Sequence, residues 1–408
     1  MNILFAADVS IKKVLGGAER VLLEQTKRLS ERGHEIHVIT RGFPFHASPY
    51  ENIKNIHEWR YVINEKNAFT FLVSTVLNCQ KLYKRISQKI SLDLINLHQP
   101  FSAFAINLLR NSRQTKRVYT CLSLASEEYK IRSLKTRNLF NTPIFYSNIF
   151  FRRFMEKFSL SKCERVIVLS QFTQDKLINT HSIPKEKITI IPGGVDLGRF
   201  RPSLNKMEIR KRLHIPADKF VLLTVRNLVP RMGLENLVEA IGLIQNKIDI
   251  YLIIGGEGIL RRKLQELIKK LNLGSSVELH GFVSEEDLPL YYQMADLFIL
   301  PTVALEGFGL ITVEAMACGL PVLGTPIGAT PEILSKFDPT FIFKDTSPMT
   351  MADLIIKKHR FFMDNPEGYQ KISQGCRGFV EANYSWEKNI DGLETLFQSL
   401  VEGRKRIG

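Results

Sequence analysis

The alternation of short β-branched runs with amphipathic stretches constrains this chain more than any other feature. NILFAA (2 to 7) has the length and composition of a buried strand, GGAERVLLEQTKRLSERG (16 to 33) reads as a helix closed by Gly33, and EIHVIT (35 to 40) as the next strand. DLINL (93 to 97), KRVYTC (116 to 121), RVIVLS (165 to 170) and KITIIP (187 to 192) continue the series, with helical stretches between them. Strands that are apolar on both faces belong in a parallel sheet covered by helices on both sides. The first half is therefore expected to be a doubly wound α/β domain.

After the turn-rich PGGVDLGRFRP (192 to 202) the series begins again, with strands at KFVLLTV (219 to 225), DIYLIIG (249 to 255), SVELHG (276 to 281), DLFIL (296 to 300) and LPVLGT (320 to 325). LENLVEAIGLI, LRRKLQELIKKL and SEEDLPLYYQMA read as the intervening helices, with Ser284 capping the last and Glu286 and Asp287 at its positive end. A chain of 408 residues exceeds what one hydrophobic core usually fills. The fold class expected is α/β with two Rossmann-like domains, residues 1–195 and 196–384. A deep interdomain cleft at the carboxyl ends of the two sheets is the expected ligand site.

EGFGLITVEAMACG (306 to 319) falls just beyond the strand DLFIL. Glu306 lies in the loop, Gly307 and Gly309 let the backbone approach a ligand, and LITVEAMAC forms a helix stopped by Gly319. The free N–H groups of Phe308, Gly309, Leu310 and Ile311 make an anion site at the helix start. Carboxylates beside such a site are unsuited to the anion itself and suited to hydroxyls flanking it, which is the pattern of a sugar and a ribose around a diphosphate. Glu306 could equally be an ordinary loop carboxylate and Glu314 a helix residue paired with a base. His98, directly after DLINL, could be a satisfied strand-end histidine, and Gly16-Gly17 a tight helix entry. GGEG (255 to 258) lacks dinucleotide spacing.

Charge separates the halves. Residues 1–200 hold 31 Lys and Arg against 16 Asp and Glu, a net of +15, whereas residues 201–408 hold 25 of each. A basic half suits an anionic lipid surface or an acidic substrate, or is a solvated basic face. FTFLVSTVLNCQKLYKRISQK (69 to 89) and TPIFYSNIFFRRFMEKFSLSK (142 to 162) read as basic amphipathic helices resting on anionic lipid, or equally as helices whose apolar sides are core. Nucleic acid is not expected as a partner, because no aromatic platform or helix-turn-helix pattern accompanies the charge. Cys79, Cys121, Cys163, Cys318 and Cys376 are odd in number and include no C-x-x-C pair, so neither a disulfide framework nor a zinc site is indicated. No apolar run reaches the roughly 18 residues that span a bilayer, and the opening segment is too short and acidic for a secretory signal. The expected location is cytoplasmic, with peripheral attachment at the inner face of the membrane.

The residues also carry a resemblance. Glu306 and Glu314 match the E-x7-E motif of GT-B glycosyltransferases, and LPTVALEGFGLITVEAMACGLPVLGTPIGATPEIL resembles the retaining glycosyltransferase family four, of the envelope polysaccharide type. GGAER (16 to 20), LINLHQP (94 to 100), IIPGGVDLGRFRP (190 to 202), LVPRMGLENLVEA (228 to 240), IIGGEG (253 to 258), VELHGFV (277 to 283) and YSWEKNIDGLETL (384 to 396) extend it along nearly the whole chain. The resemblance implies retaining transfer of a sugar from a nucleotide diphosphate sugar to a saccharide or lipid-linked acceptor, with no obligatory metal or other cofactor. It implies that Glu314 binds the ribose, Glu306 the transferred sugar and the Phe308–Ile311 backbone the diphosphate, with His98 near the anomeric carbon. Gly16 and Gly17 would lie by the phosphates or acceptor, Gly281, Phe282 and Val283 would meet the base, and a final helix, about 385–408, would return to the first domain. No D-x-D metal motif occurs at a strand end.

Two departures stand out. The family's Arg and Lys, five residues apart, fall on Asn227 and Met232, leaving Arg226 and Arg231 as the nearest cations for the donor diphosphate, with Arg231 favoured as the catalytic one. Leu122 and Ser123 stand where many relatives carry a histidine after the strand. The alternatives are a nucleotide-sugar-binding protein impaired in catalysis and a GT-B nucleotide-sugar epimerase.

Overall fold

The computed structural model describes residues 1–14, 16–110, 114–134, 142–203 and 205–405, without the side chains of Leu134, Arg404 and Lys405; the last three positions of the expected returning helix lie outside these residues. The chain divides into two compact units, Met1–Gly193 with Trp386–Gly408, and Gly194–Ser385.

In the first unit the strands are β1 (Asn2–Ala6), β2 (Glu35–Arg41), β3 (Tyr50–Ile53), β4 (Ile56–Tyr61), β5 (Leu94–Leu97), β6 (Lys116–Cys121), β7 (Arg165–Val168) and β8 (Ile188–Ile190). They form one sheet in the order β3-β4-β2-β1-β5-β6-β7-β8, parallel except for the antiparallel β3–β4 pair. The helices are α1 (Gly17–Glu31), α2 (Ala68–Ser87), α3 (Pro100–Asn107), α4 (Ala125–Leu134), α5 (Thr142–Ser161) and α6 (Gln171–His181). Alternate side chains of each strand enter opposite cores: Leu4 and Ala6 join Cys79, Tyr83 and Leu160, while Ile3 and Phe5 join Leu22, Leu29 and Phe397. Both faces are thus covered, as continuous apolar strands require.

The second unit contains α7 (Lys206–Arg212), β9 (Phe220–Val225), α8 (Leu234–Ile244), β10 (Ile250–Gly255), α9 (Arg261–Lys270), β11 (Val277–Gly281), α10 (Leu288–Met294), β12 (Leu297–Leu300), α11 (Leu310–Ala317), β13 (Val322–Gly324), α12 (Thr330–Phe337), α13 (Pro348–Asp364) and α14 (Pro366–Asn383). Its five parallel strands run β11-β10-β9-β12-β13. The order reverses between β9 and β12, a switch point at which the loops leaving the carboxyl ends diverge and open a crevice. The closing helix α15 (Trp386–Lys405) returns to the first unit, where Ile390, Leu393 and Phe397 are buried with Phe5 and Leu22. Arg28 of α1 pairs with Glu387, and Arg32 with Asp391 at 2.7 Å and with Glu394 at 2.5 Å.

Two local expectations change. The β3–β4 hairpin was not foreseen: its turn residues Lys54 and Asn55 both have positive φ, 52° and 65°, the two-residue primed turn that matches strand twist, made here without the usual glycine. The helix α10 starts at Leu288, not at Ser284. The Ser284 hydroxyl accepts the Asp287 N–H at 3.1 Å and donates to the Asp287 carboxylate at 2.8 Å, so both residues shape the preceding turn.

Candidate active site

All the loops leaving the carboxyl ends of the second sheet are tied to one another. The turn after β10 presses on the segment after β9: a Cβ at Gly256 would lie 1.9 Å from the Arg226 carbonyl oxygen and one at Gly258 2.5 Å from that of Leu228. Only glycine permits that approach, a reason for GGEG that dinucleotide spacing could not supply. The Gly256 N–H donates to the Gly281 carbonyl at 2.6 Å, joining the end of β11 to the same cluster. Gly281 has φ +92°, Val283 turns inward against Gly255, and the Phe282 side chain projects outward, 61% exposed.

The loop between β12 and α11 is held on three sides. Ala329 N–H donates to the Glu306 carbonyl at 2.8 Å, and Gly328, with φ +65°, packs so closely that its Cβ would meet the same oxygen at 2.3 Å. The Arg231 guanidinium donates to the Leu305 carbonyl at 2.8 Å, and the Arg231 carbonyl accepts from Val303 and Ala304. The Glu306 side chain is then fixed by Arg226: Nη2 reaches Glu306 Oε2 at 2.5 Å, Nη1 donates to Thr302 Oγ1, and that hydroxyl donates to the same carboxylate oxygen at 3.2 Å. Arg226 and Glu306 are each only 8% exposed. Among the described residues Oε1 of Glu306 has no hydrogen-bond partner, so one carboxylate oxygen is left to meet a ligand.

Gly309 stands just before α11, and its φ of +88° admits the chain to the first helical turn. The N–H groups of Leu310 and Ile311 have no acceptor within the helix and, with the preceding turn, constitute a positive helix end. Phe308 is buried, its ring 5.7 Å from that of Tyr384. Glu314, one turn into α11 and 4% exposed, accepts the Tyr292 hydroxyl of α10 at 3.1 Å.

Of the two candidate cations, Arg226 is thus the one joined to Glu306, and Arg231 braces the loop from behind. The expectation favoured Arg231 as the catalytic cation; the geometry joins Arg226, and not Arg231, to Glu306. Asn227 is exposed, while Met232 is 5% exposed in the core beside Leu228, Leu234 and Leu237. Thr302 and Tyr292 were not anticipated; a threonine four residues before a loop glutamate carries no signal by itself.

In the first unit, adjacent β1 and β5 bring Asp8, His98 and Gln99 to the carboxyl edge of the sheet. His98 is 3% exposed, its ring 5.5 Å from Phe5, and among the described residues neither ring nitrogen has a hydrogen-bond partner. Burial without a compensating bond pushes its pKa down to about 3, so the imidazole is neutral at physiological pH. Asp8, which sequence reasoning passed over, accepts the N–H groups of Phe101 at 3.1 Å and Ser102 at 3.0 Å at the start of α3. Desolvation outweighs these bonds and the nearby Arg41 charge and raises its pKa. Gly16, the residue before α1, is extended at φ −169°, a conformation any residue adopts, and Gly17 opens the helix.

Residues 15–199 match the family model described as Glycosyltransferase Family 4, and residues 205–377 that described as Glycosyl transferases group 1. The chain belongs to glycosyltransferase family four. It is similar to the N-acetyl-alpha-D-glucosaminyl L-malate synthase of Bacillus anthracis, 24% identical over 96% of both chains. Among solved structures, sucrose-phosphate synthase from Thermosynechococcus elongatus superposes with a TM-score of 0.83 at 22% identity, covering 98% of this chain and 99% of the other. Anabaena HepE in complex with UDP and glucose does so with 0.75 at 18% identity, covering 98% and 100%. The family-four enzyme is a GT-B glycosyltransferase that retains anomeric configuration and uses a nucleotide sugar.

Proposed function

We propose that the donor diphosphate lies against the first turn of α11, the transferred sugar against Glu306, and the ribose against Glu314. The observation that carries the reading is the closed set of Arg226, Thr302 and Glu306, which fixes one carboxylate oxygen and leaves Oε1 for a sugar hydroxyl. The base is assigned to the Gly281, Phe282 and Val283 segment, and His98, neutral and without a ring hydrogen bond among the described residues, to the transferred sugar. The acceptor hydroxyl attacks the anomeric carbon on the leaving-group face; the bond to the diphosphate oxygen breaks, the bond to the acceptor oxygen forms, and the hydroxyl proton passes to the departing diphosphate. Arg226 and the α11 N-terminus stabilise the negative charge that develops there. No metal or other cofactor is assigned to the step.

The acceptor is a saccharide or lipid-linked saccharide of envelope polysaccharide assembly, handled at the inner face of the membrane by a peripheral cytoplasmic enzyme. The excess positive charge confined to residues 1–200 supports that placement. Among the described residues no helix is long and apolar enough to cross a membrane. Incubating the enzyme with UDP-, GDP- and ADP-sugars and short saccharide acceptors, and assigning the anomeric proton of the product by NMR, tests the reaction. A product with the donor's configuration is expected. Binding of a nucleotide sugar with neither transfer nor hydrolysis would favour the binding-protein reading.

A further inference from the structure

Three parallel helices on one face of the first sheet present an outer surface that the catalytic chemistry does not use. α2 carries Phe69, Val73 and Leu77, spaced i, i+4, i+8, at 75%, 38% and 59% exposure, with the core residues Thr75, Cys79, Tyr83 and Ile86 on its opposite side. α5 repeats the device with Tyr146, Phe150 and Phe154 at 55%, 74% and 50%, opposite Phe145, Ile149 and Glu156. One apolar stripe facing water on a helix is common; two with the same spacing, on helices that share a neighbour, form a continuous feature. The shared neighbour is α3: the Phe101 ring lies 5.3 Å from Phe71 of α2, and Phe104 contacts the rings of Phe151, Phe154 and Phe158 of α5.

Charge decides what such a surface fits. α2 contains Lys81, Lys84 and Arg85 and no acid, and α3 has no charged residue. α5 contains Arg152, Arg153 and Lys157 and one acid, Glu156, which is buried and accepts from Ala125 N–H and the Ser126 hydroxyl. Arg153 is paired with Glu127 at 2.9 Å and Arg152 lies over the Tyr129 ring, whereas Lys81, Lys84, Arg85 and Lys157 make no ion pair among the described residues. Projecting aromatic tips with unpaired cations and no exposed carboxylate on their own helices match the boundary between anionic headgroups and acyl chains.

We propose that the outer faces of α2 and α5 form a docking surface for an anionic bilayer, with Phe69, Leu77, Phe150 and Phe154 entering the interfacial layer and Lys81, Lys84, Arg85 and Lys157 meeting lipid phosphates. The proposal extends the lipid-linked acceptor reading given above, but stands on exposure and charge, independently of the transfer chemistry. Each of these helices leads into a parallel strand or leaves one, so each begins at the carboxyl edge of the sheet. Phe69, in the first turn of α2, and Tyr146, in the second turn of α5, therefore lie toward the same edge as Asp8 and His98. A lipid-linked acceptor would reach that edge with its lipid still in the bilayer.

The test is cosedimentation of the full chain with vesicles of phosphatidylcholine alone and of equal parts phosphatidylcholine and phosphatidylglycerol. Wild type is expected to bind the mixed vesicles about ten-fold or more tightly than the neutral ones. Lys81→Ser with Lys84→Ser and Arg85→Ser should weaken binding about 100-fold at low salt, and Phe69→Ser with Phe150→Ser about ten-fold at low and high salt alike. These side chains are exposed, so melting temperatures should not change, and transfer to a soluble acceptor should persist in every variant. Absence of binding to the mixed vesicles overturns the proposal while leaving the transfer reading untouched. So does binding that salt abolishes and the phenylalanine substitutions leave unaltered, or a dimer that those substitutions dissolve.

Discussion

Replacing Arg226 by methionine removes the guanidinium but keeps an apolar stem of similar length, and its consequence can be worked from the geometry around Glu306. The pair is closed at 2.5 Å with side chains 4% and 11% exposed, so deleting the cation leaves a carboxylate out of water with only the Thr302 hydroxyl as partner. Leaving one member of a buried ion pair uncompensated costs about 3 to 5 kcal/mol; the surviving hydroxyl favours the lower end, about 3. For a unit the size of Gly194–Ser385 this lowers the melting temperature by roughly 6 to 12 °C. Adding Glu306→Gln in the same chain removes the stranded charge and should recover half or more of the loss, a coupling of at least about 1.5 kcal/mol. Both variants should slow sugar transfer by about 10² to 10³, because the cation proposed to stabilise the departing diphosphate is gone from each. The assay is a thermal melt of wild type, the two single variants and the double variant, run beside a transfer assay. Single-variant losses that add within about 0.5 kcal/mol would refute the reasoning, since Arg226 would then not be holding Glu306.

Met232→Lys places an ammonium among Leu228, Leu234 and Leu237 and should destabilise the second unit by about 1 to 3 kcal/mol in urea titrations, without raising activity. Arg231→Ala should lower kcat by about ten-fold, less than Arg226→Met, since it loosens the loop through the Leu305 carbonyl and leaves Glu306 paired. Because burial holds the His98 pKa near 3 while an unfolded histidine titrates near 6.5, its contribution to stability is full above pH 6.5 and shrinks as pH falls from there toward 3; His98→Phe should flatten that part of the stability–pH curve.

The strands of both sheets were legible because each buried strand is apolar on both faces and ends in a turn signal, as in KFVLLTV and DLFILP. The β3–β4 hairpin was hidden because YENIKNIHEWRY alternates charged and apolar residues and makes its turn with Lys54-Asn55, without glycine. At the candidate site, the order of strand, glycine loop and helix was enough to place Glu306 in the loop after β12 and Glu314 one turn into α11. That Arg226 and not Arg231 pairs with Glu306 was not readable, because it depends on how the segment between β9 and α8 packs against the loop after β12, and Thr302 enters only through that packing. The outer stripes of α2 and α5 were visible as basic amphipathic segments, yet sequence left open whether their apolar residues were core. α2 and α5 resolve it by carrying two apolar sides, one inward and one toward water.

The measurement that bears most directly on the central claim is the calorimetric affinity of wild type and Glu314→Gln for UDP, GDP and ADP and for their sugar conjugates. If Glu314 on α11 accepts the ribose hydroxyls, the nucleotide that wild type binds best should lose about 1 to 3 kcal/mol in the variant, bare and sugar-bearing forms alike. Equal affinities in the two proteins for every nucleotide would contradict the assignment of the donor to this edge of the second sheet.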